Sequence, residues 1–474
     1  MNILSRRGFL AGLALGAMAP RMLAAAPAGG VDTAARIDEA RLGGSTAYAV
    51  IDPASGALLA ERQADLPLPP ASTLKAVTAL YALDRLGAGH RFATRVIRAG
   101  NMLVLAGGGD PVLDTDALDR LAAATVTAEK SAGGEVPTSF AVWGGALPRI
   151  ARLDPAQDEY LPYNPTLSGM MLNFNRVHLD WRGTGKGLQL SLQARGRKLS
   201  PRAYTIGIAA ADRRAPLFTF DDSGKLESWT IARGSLGKPG SRWLPVRRPE
   251  LYAGDVFQTL CRARGLVLPM PEVIEILPEG HELAREESPP LAGIVQDMLD
   301  YSTNLTAEAI GLAASGAGDL AGSGAAMAGW LRGQGIDGGF AFHDHSGLSA
   351  ESRVSARMLA QVMAGPGQAR DLAGLMKTIE LRDARGRVRQ GQVEIRAKTG
   401  TLNFVSNLAG YAASDGGAPL AFAILSADEA RRAASEGEEL PEGVIGWTKR
   451  ARALQQALIE GWLAPAAGGV QSSR

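Results

Sequence analysis

Cysteine is nearly missing from this 474-residue chain: the single Cys261 can form no internal disulfide and supplies no Cys₂ or Cys₄ metal set. Aromatic residues make up only 5%, and after the first 30 residues or so no apolar run approaches the length of a membrane span, which argues against a polytopic membrane protein. Neither sign of charge prevails. The sum of 50 Lys+Arg against 48 Asp+Glu leaves +2, too little to hold the chain on a polyanion, so a general nucleic-acid binder is disfavoured. No serine has the flanking glycines of a Gly-x-Ser-x-Gly hydrolase turn, no His-Glu-x-x-His zinc pattern occurs, and the glycine runs Gly107-Gly108-Gly109 and 316–324 lack the Gly-Lys-Ser/Thr of a phosphate loop and read as turns. What remains is 46% apolar residues with 21% charged ones, a composition that excludes disorder for most of the length and gives a prior of two to four domains.

The first segment reads as an address. Ser5-Arg6-Arg7-Gly8-Phe9-Leu10 heads a short Gly/Ala-rich apolar run and is followed by the small residues Ala24-Ala25-Ala26, the pattern of a twin-arginine export signal. An ordinary secretory signal or an uncleaved anchor is the alternative, and the cut falls either after Ala26 or at the second small-x-small site, Ala26-Pro27-Ala28. Residues 1–28 are set apart from the fold, and export places the protein among periplasmic and cell-wall substrates.

Apolar Tyr48-Ala49-Val50-Ile51 and Leu58-Leu59-Ala60 flank a Pro/Gly turn and predict a hairpin. After Pro69-Pro70, the positions Leu74, Val77, Thr78, Tyr81 and Leu86 recur at helical spacing, so Ser72 falls in a helix's first turn. Between 91 and 275 the texture becomes short strand-like runs broken by Gly and Pro, which predicts an inserted β-rich region, read as two small domains. Helices are expected over 254–264, 289–300, 304–314, 323–334 and 355–363, then strands over 393–402, 405–412 and 419–425, and a helix over 443–463. Residues 29–90 and 276–474 then form one α/β (α+β) domain, a mostly antiparallel sheet covered by helices.

Ser72 and Lys75 are three positions apart, on one helix face and about 5–6 Å apart at Cβ. A serine hydroxyl is a weak nucleophile until a base takes its proton, and a lysine serves as that base when burial lowers its pKa. Alone, the pair fits equally a helix start with a solvated lysine. Tyr301-Ser302-Thr303-Asn304 lies at a break between two helices and offers a second hydroxyl and an amide. Lys398-Thr399-Gly400-Thr401 lies in a strand, where the glycine permits close approach of another backbone.

These three motifs, in this order, resemble the signature Ser-x-x-Lys, Ser-x-Asn, Lys-Thr-Gly of the penicillin-recognising serine enzymes. More closely, the chain resembles the class C low-molecular-mass penicillin-binding proteins, the D-alanyl-D-alanine carboxypeptidase/endopeptidases of serine peptidase family S13. Further stretches carry the likeness: Gly108-Gly109-Asp110-Pro111, Leu172-Asn173-Phe174-Asn175, Asp344-His345-Ser346-Gly347-Leu348-Ser349 and Asn407-Leu408-Ala409-Gly410-Tyr411. Ser302 follows Ser72 by 230 positions, a spacing that matches a family that carries inserted domains there.

The resemblance implies a penicillin-binding/β-lactamase-like fold and a cofactor-free hydrolase that cleaves peptidoglycan stem peptides through an acyl-enzyme and is inhibited by β-lactam antibiotics. It implies Ser72 as nucleophile, Lys75 as base, Ser302 as proton relay, Asn304, Lys398, Thr399 and Thr401 as substrate contacts, and the backbone amides of Ser72 and Thr401 as oxyanion hole. The same machinery would fit a β-lactamase or esterase, and a catalytically inactive wall-binding scaffold is the reading from another class. Three positions depart from the family pattern: Thr303 stands where Asp is frequent, and His345 and Ala350 where the loop usually has Gly and Arg. His343-Asp344-His345 reads better as a surface or supporting loop than as a metal site, since only His90, His178 and His281 remain elsewhere. Cys261 reads as a packed helix residue. Lys449, Arg450 and Arg452 suggest either a weak membrane association or a solvated helix face.

Overall fold

The computed structural model describes residues 33–133, 135–184, 187–382, 387–389 and 393–464. The export signal and its cut point lie outside the described residues.

A five-stranded sheet organises the part that carries the motifs, in the order Val393–Leu402, Val405–Ser414, Leu420–Ala427, Ser45–Ile51, Leu58–Arg62, with every neighbouring pair antiparallel. The expected hairpin closes through Asp52, whose carboxylate accepts from Ala54 N at 2.9 Å while its carbonyl accepts from Gly56 N at 2.8 Å. Alternation along a strand sends successive side chains to opposite faces. Ala47, Ala49 and Ile51 therefore meet the helices Leu74–Leu86, Leu291–Tyr301 and Ala356–Val362 in one core, and Tyr48 and Val50 meet Trp447, Leu458 and Ile459 of the helix Val444–Leu463 in another. With both faces covered, the inner strands are apolar on both sides, and Leu420–Ala427 is buried at all but its first residue. The first core is rich in alanine (Ala47, Ala49, Ala409, Ala421, Ala423), and such small side chains let the helix Leu74–Leu86 lie close to the sheet.

The stretch between Leu86 and Leu291 builds a mixed five-stranded sheet and two three-stranded ones. In the first, Ala93–Ala99 and Met102–Ala106 are antiparallel, while Ser139–Trp143 and Pro271–Ile274 add in parallel. All three sheets contribute to one core with two helices, Thr115–Ala132 and Pro249–Ala263. The first of these helices runs for 18 residues through a region whose texture suggested strands. Its signals were present: the Asp114 carboxylate caps it by accepting from Ala117 N at 2.8 Å, and Leu118, Leu121, Ala122, Thr125 and Val126 are buried at helical spacing. With Thr115 also buried, half of that face is Ala and Thr, whose weak apolarity blurs the period. A smaller cluster joins this stretch to the motif-bearing part, with Leu147, Leu167 and Met171 against Leu305, Leu312 and Leu348.

Candidate active site

Ser72 lies in a short 3₁₀ turn, Ala71–Thr73, that leads directly into the helix Leu74–Leu86. Ala71 adopts φ 45°, a left-handed conformation that costs a non-glycine residue about 1–2 kcal/mol and lasts only where neighbours impose it. Those neighbours are visible. Asn407, from the strand Val405–Ser414, donates to the carbonyls of Pro69 and Pro70 at 2.8 and 2.9 Å, and the Thr73 hydroxyl donates to Pro70 O at 2.6 Å. Gly400 presses against the same turn: a Cβ there would stand 2.9 Å from Pro70 O.

Helical spacing brings Lys75 Nζ to 2.9 Å from Ser72 Oγ. The same nitrogen reaches Asn304 Oδ1 and the Ser346 carbonyl, each at 2.8 Å. The helix Leu291–Tyr301 stops because Ser302 turns left-handed, φ 60° and ψ 39°, and a new helix starts at Asn304. That break turns both Ser302 and Asn304 toward the cleft. Lys398, on the edge strand of the sheet, donates to Ser302 Oγ at 3.0 Å and to Thr399 O at 3.1 Å. Thr401 lines the cleft with Ser72, Ser302 and Asn304. Thr399 stands beside Lys398 and contributes its carbonyl.

Both lysines are removed from water, Lys75 fully and Lys398 to 2% exposure. Burial lowers Lys75 to about 8 against the opposing charges of Glu308 and Asp344, and burial, helped by Lys75 and Lys377, lowers Lys398 to about 7. The pairs Ser72–Lys75 and Ser302–Lys398 share the cleft with no direct hydrogen bond between them among the described residues.

Four contributors had no role assigned from the sequence, although Ser346 and Asn407 lie in stretches that carry the family likeness. Ser346 offers a backbone carbonyl. Asn407 orients the serine turn. Glu308 is wholly buried and accepts from His345 N and Ser346 N, both at 2.9 Å. Tyr163 accepts from Asn304 Nδ2 through its carbonyl at 3.2 Å, so the inserted stretch reaches the site. The loop around His343-Asp344-His345 corrects the surface reading: Asp344 is 1% and His345 0% exposed, because the Asp344 carboxylate gathers Ser346, Leu348, Ser349 and Ser352 around itself. Among the described residues no group of His, Cys, Asp and Glu is arranged to hold a metal. Cys261 is buried, which pushes its thiol up to about 12. Arg450 donates to Ala40 O, whereas Lys449 and Arg452 line the far end of the cleft. No helix among the described residues is long and apolar enough to cross a membrane. The cleft holds about 770 Å³ and is walled on its other side by Asp154, Asp158 and Tyr163 of the inserted stretch and by Arg432.

The profile of the D-Ala-D-Ala carboxypeptidase 3 (S13) family matches residues 31–450. The chain belongs to the S13 family. It is accordingly a serine-type D-Ala-D-Ala carboxypeptidase, a hydrolase. The chain is similar to the D-alanyl-D-alanine carboxypeptidase of Actinomadura sp. strain R39, 27% identical over 464 residues with 86% of this chain and 84% of the relative covered. Another such relative is the carboxypeptidase Rv3627c of Mycobacterium tuberculosis, 28% identical over 409 residues, covering 81% of this chain and 76% of the relative. Among solved structures, penicillin-binding protein 4 of Haemophilus influenzae superposes with a TM-score of 0.70 at 18% identity, over 90% of this chain and 99% of the other, and shows the same fold.

Proposed function

We propose that Ser72 is the acylated nucleophile of a D-Ala-D-Ala carboxypeptidase/endopeptidase acting on peptidoglycan stem peptides, with Lys75 as its base. The carrying observation is the set of partners around Lys75 Nζ. Asn304 Oδ1 and Ser346 O, each at 2.8 Å, are groups that only accept. A neutral amine spends its two N–H bonds on them, and its lone pair then faces the Ser72 hydroxyl at 2.9 Å.

On this reading Ser72 Oγ attacks the carbonyl of the penultimate D-alanine as its proton passes to Lys75, a step in which a positioned base is worth about 10²- to 10⁴-fold. The backbone N–H groups of Ser72 and Thr401 take the oxyanion, each worth about 10²- to 10³-fold. Ser302, polarised by Lys398, gives its proton to the departing amine and regains one from the Lys75 ammonium. Lys398 and Thr399 receive the terminal carboxylate, and Asn304 holds both Lys75 and the substrate amide. Water then cleaves the Ser72 ester, releasing the shortened peptide and returning the hydroxyl. A β-lactam follows the same first step and leaves a slowly hydrolysed ester. The Haemophilus influenzae protein of the same fold has been solved with a bound β-lactam, which supports this part of the reading. The twin-arginine motif, read as an export signal, would deliver the enzyme to the periplasm, where its substrate lies.

Incubation with a fluorescent penicillin tests the assignment. Stable labelling of the wild type and its loss in Ser72→Ala are expected, and labelling that persists in Ser72→Ala refutes it. Digestion of cross-linked muropeptides, read by mass, then separates release of terminal D-alanine from cleavage of cross-links.

A further inference from the structure

The His345 ring is wholly buried, and the room for it comes from another element. Gly311 sits mid-helix in Asn304–Ser315. A Cβ on it would lie 2.2 Å from the His345 ring, so any other residue there would occupy the ring's place. The ring is fixed from three sides. Nε2 shares a 2.6 Å hydrogen bond with Ser323 Oγ, itself 2.8 Å from Ser315 Oγ. The ring lies parallel to Tyr81 at 6.2 Å between centroids. Gly311 closes the remaining side.

The backbone of this anchored residue is tied to the catalytic helix. His345 N–H donates to Glu308, its carbonyl accepts from Thr78 Oγ1 at 2.7 Å, and the next carbonyl, Ser346 O, accepts from Lys75. Thr78 is one helical turn beyond Lys75 on the same face. We propose that His345, seated in the notch left by Gly311, is a positioning residue for the Ser72–Lys75 pair: it fixes the Ser346 carbonyl that aims the Lys75 lone pair at the serine. The proposal rests on the reading of Lys75 as base. The ring stays neutral, since burial lowers it to about 4, so it acts by shape and hydrogen bonding.

Loosening the loop should release the Ser346 carbonyl and admit water to Lys75. Water favours the ammonium form, so the base should titrate at higher pH. The charged groups facing Lys75 are Glu308 of the helix Asn304–Ser315, Asp344 of the loop and Lys398 of the edge strand, and all three stay in place in the variants. Penicillin acylation rates measured across pH on Ser323→Ala and His345→Gly provide the test. The expected result is a loss of about tenfold or more, in line with the cost of misplacing a catalytic group, with the midpoint of the rising limb displaced to higher pH. Gly311→Ala should lose as much in the wild type but little further in the His345→Gly background, where the notch is empty. Wild-type rates and midpoint in both Ser323→Ala and His345→Gly overturn the proposal. Should His345→Gly fail to fold, Ser323→Ala decides alone, since it removes only the hydroxyl that bonds His345 and Ser315 and leaves the ring in place. A wild type that does not acylate, or a Ser72→Ala that does, counts against the base assignment instead.

Discussion

On the proposed mechanism, Lys75 and Lys398 do opposite things with a proton. The first serves as base only when neutral, so acylation rises with pH through about 8. The second holds a carboxylate only when charged, so binding weakens as pH rises through about 7. Cleavage of a peptide with a free terminal carboxylate should therefore follow a bell with its maximum between those values, while an ester substrate lacking that carboxylate should keep only the rising limb. Profiles of the two that coincide would separate Lys398 from carboxylate recognition. Asn304→Asp places a carboxylate 2.8 Å from Lys75 Nζ. An opposite charge favours the ammonium, so its rising limb should move to higher pH, readable in penicillin acylation. Lys75→Ala removes the base and should slow acylation by about 10²- to 10⁴-fold, measured on protein shown to be folded by circular dichroism.

The elements that present these side chains were largely legible in the chain. Three strands and a helix were expected over 393–402, 405–412, 419–425 and 443–463, and Val393–Leu402, Val405–Ser414, Leu420–Ala427 and Val444–Leu463 are found, because long apolar runs between turn residues and an amphipathic period are strong local signals. Thr115–Ala132 escaped because its buried face is partly Ala and Thr. The left-handed turns at Ala71 and Ser302 were equally hidden: neither residue prefers that conformation, and each is held there by partners distant in sequence. Gly400 shows how tightly the elements meet. Gly400→Ala would place a methyl 2.9 Å from Pro70 O, 3.1 Å from Ala71 Cβ and 3.1 Å from Thr73 N. The serine turn must shift, and since a displacement of ~1 Å can cost about 10²-fold, acylation should fall by ~10-fold or more while the protein remains folded by circular dichroism. Acylation at the wild-type rate would show that the strand yields instead of the turn.

Across the molecule, the cleft has two walls with separate cores, joined through the cluster of Leu147, Leu167 and Met171 with Leu305, Leu312 and Leu348. Met171, 1% exposed, is on this seam, and Met171→Ala should cost about 2–5 kcal/mol in denaturant unfolding. It should also slow peptide cleavage, since Leu305 adjoins Asn304 and the Tyr163 carbonyl holds that amide. Leu192→Ala, in the inserted stretch's own core, should cost a similar amount and leave the rate at the folded plateau intact. Equal losses of rate in both variants would mean that the seam has no special part in seating the cleft. The ion pair Arg242–Glu439, 2.9 Å across the same boundary, is partly exposed, and its loss in Arg242→Ala should change stability by less than ~1 kcal/mol.

Chemistry carried by residue identity could be read before any folding: a serine and a lysine one helical turn apart, a hydroxyl and an amide at a helix break, a lysine before a glycine on a strand. Periodicity and turn residues are local, so the hairpin, the helix that carries Ser72 and the C-terminal strands were legible too. The state of those groups was not, because it depends on which atoms meet from positions hundreds of residues apart. Lys75 loses its ordinary affinity for a proton through burial and meets two acceptors supplied from Asn304 and Ser346. His345 becomes a buried support because Gly311 leaves it space. Desolvation and close packing arise only when the whole chain excludes water, and they turn a lysine with an ordinary pKa of 10.5 into one near 8.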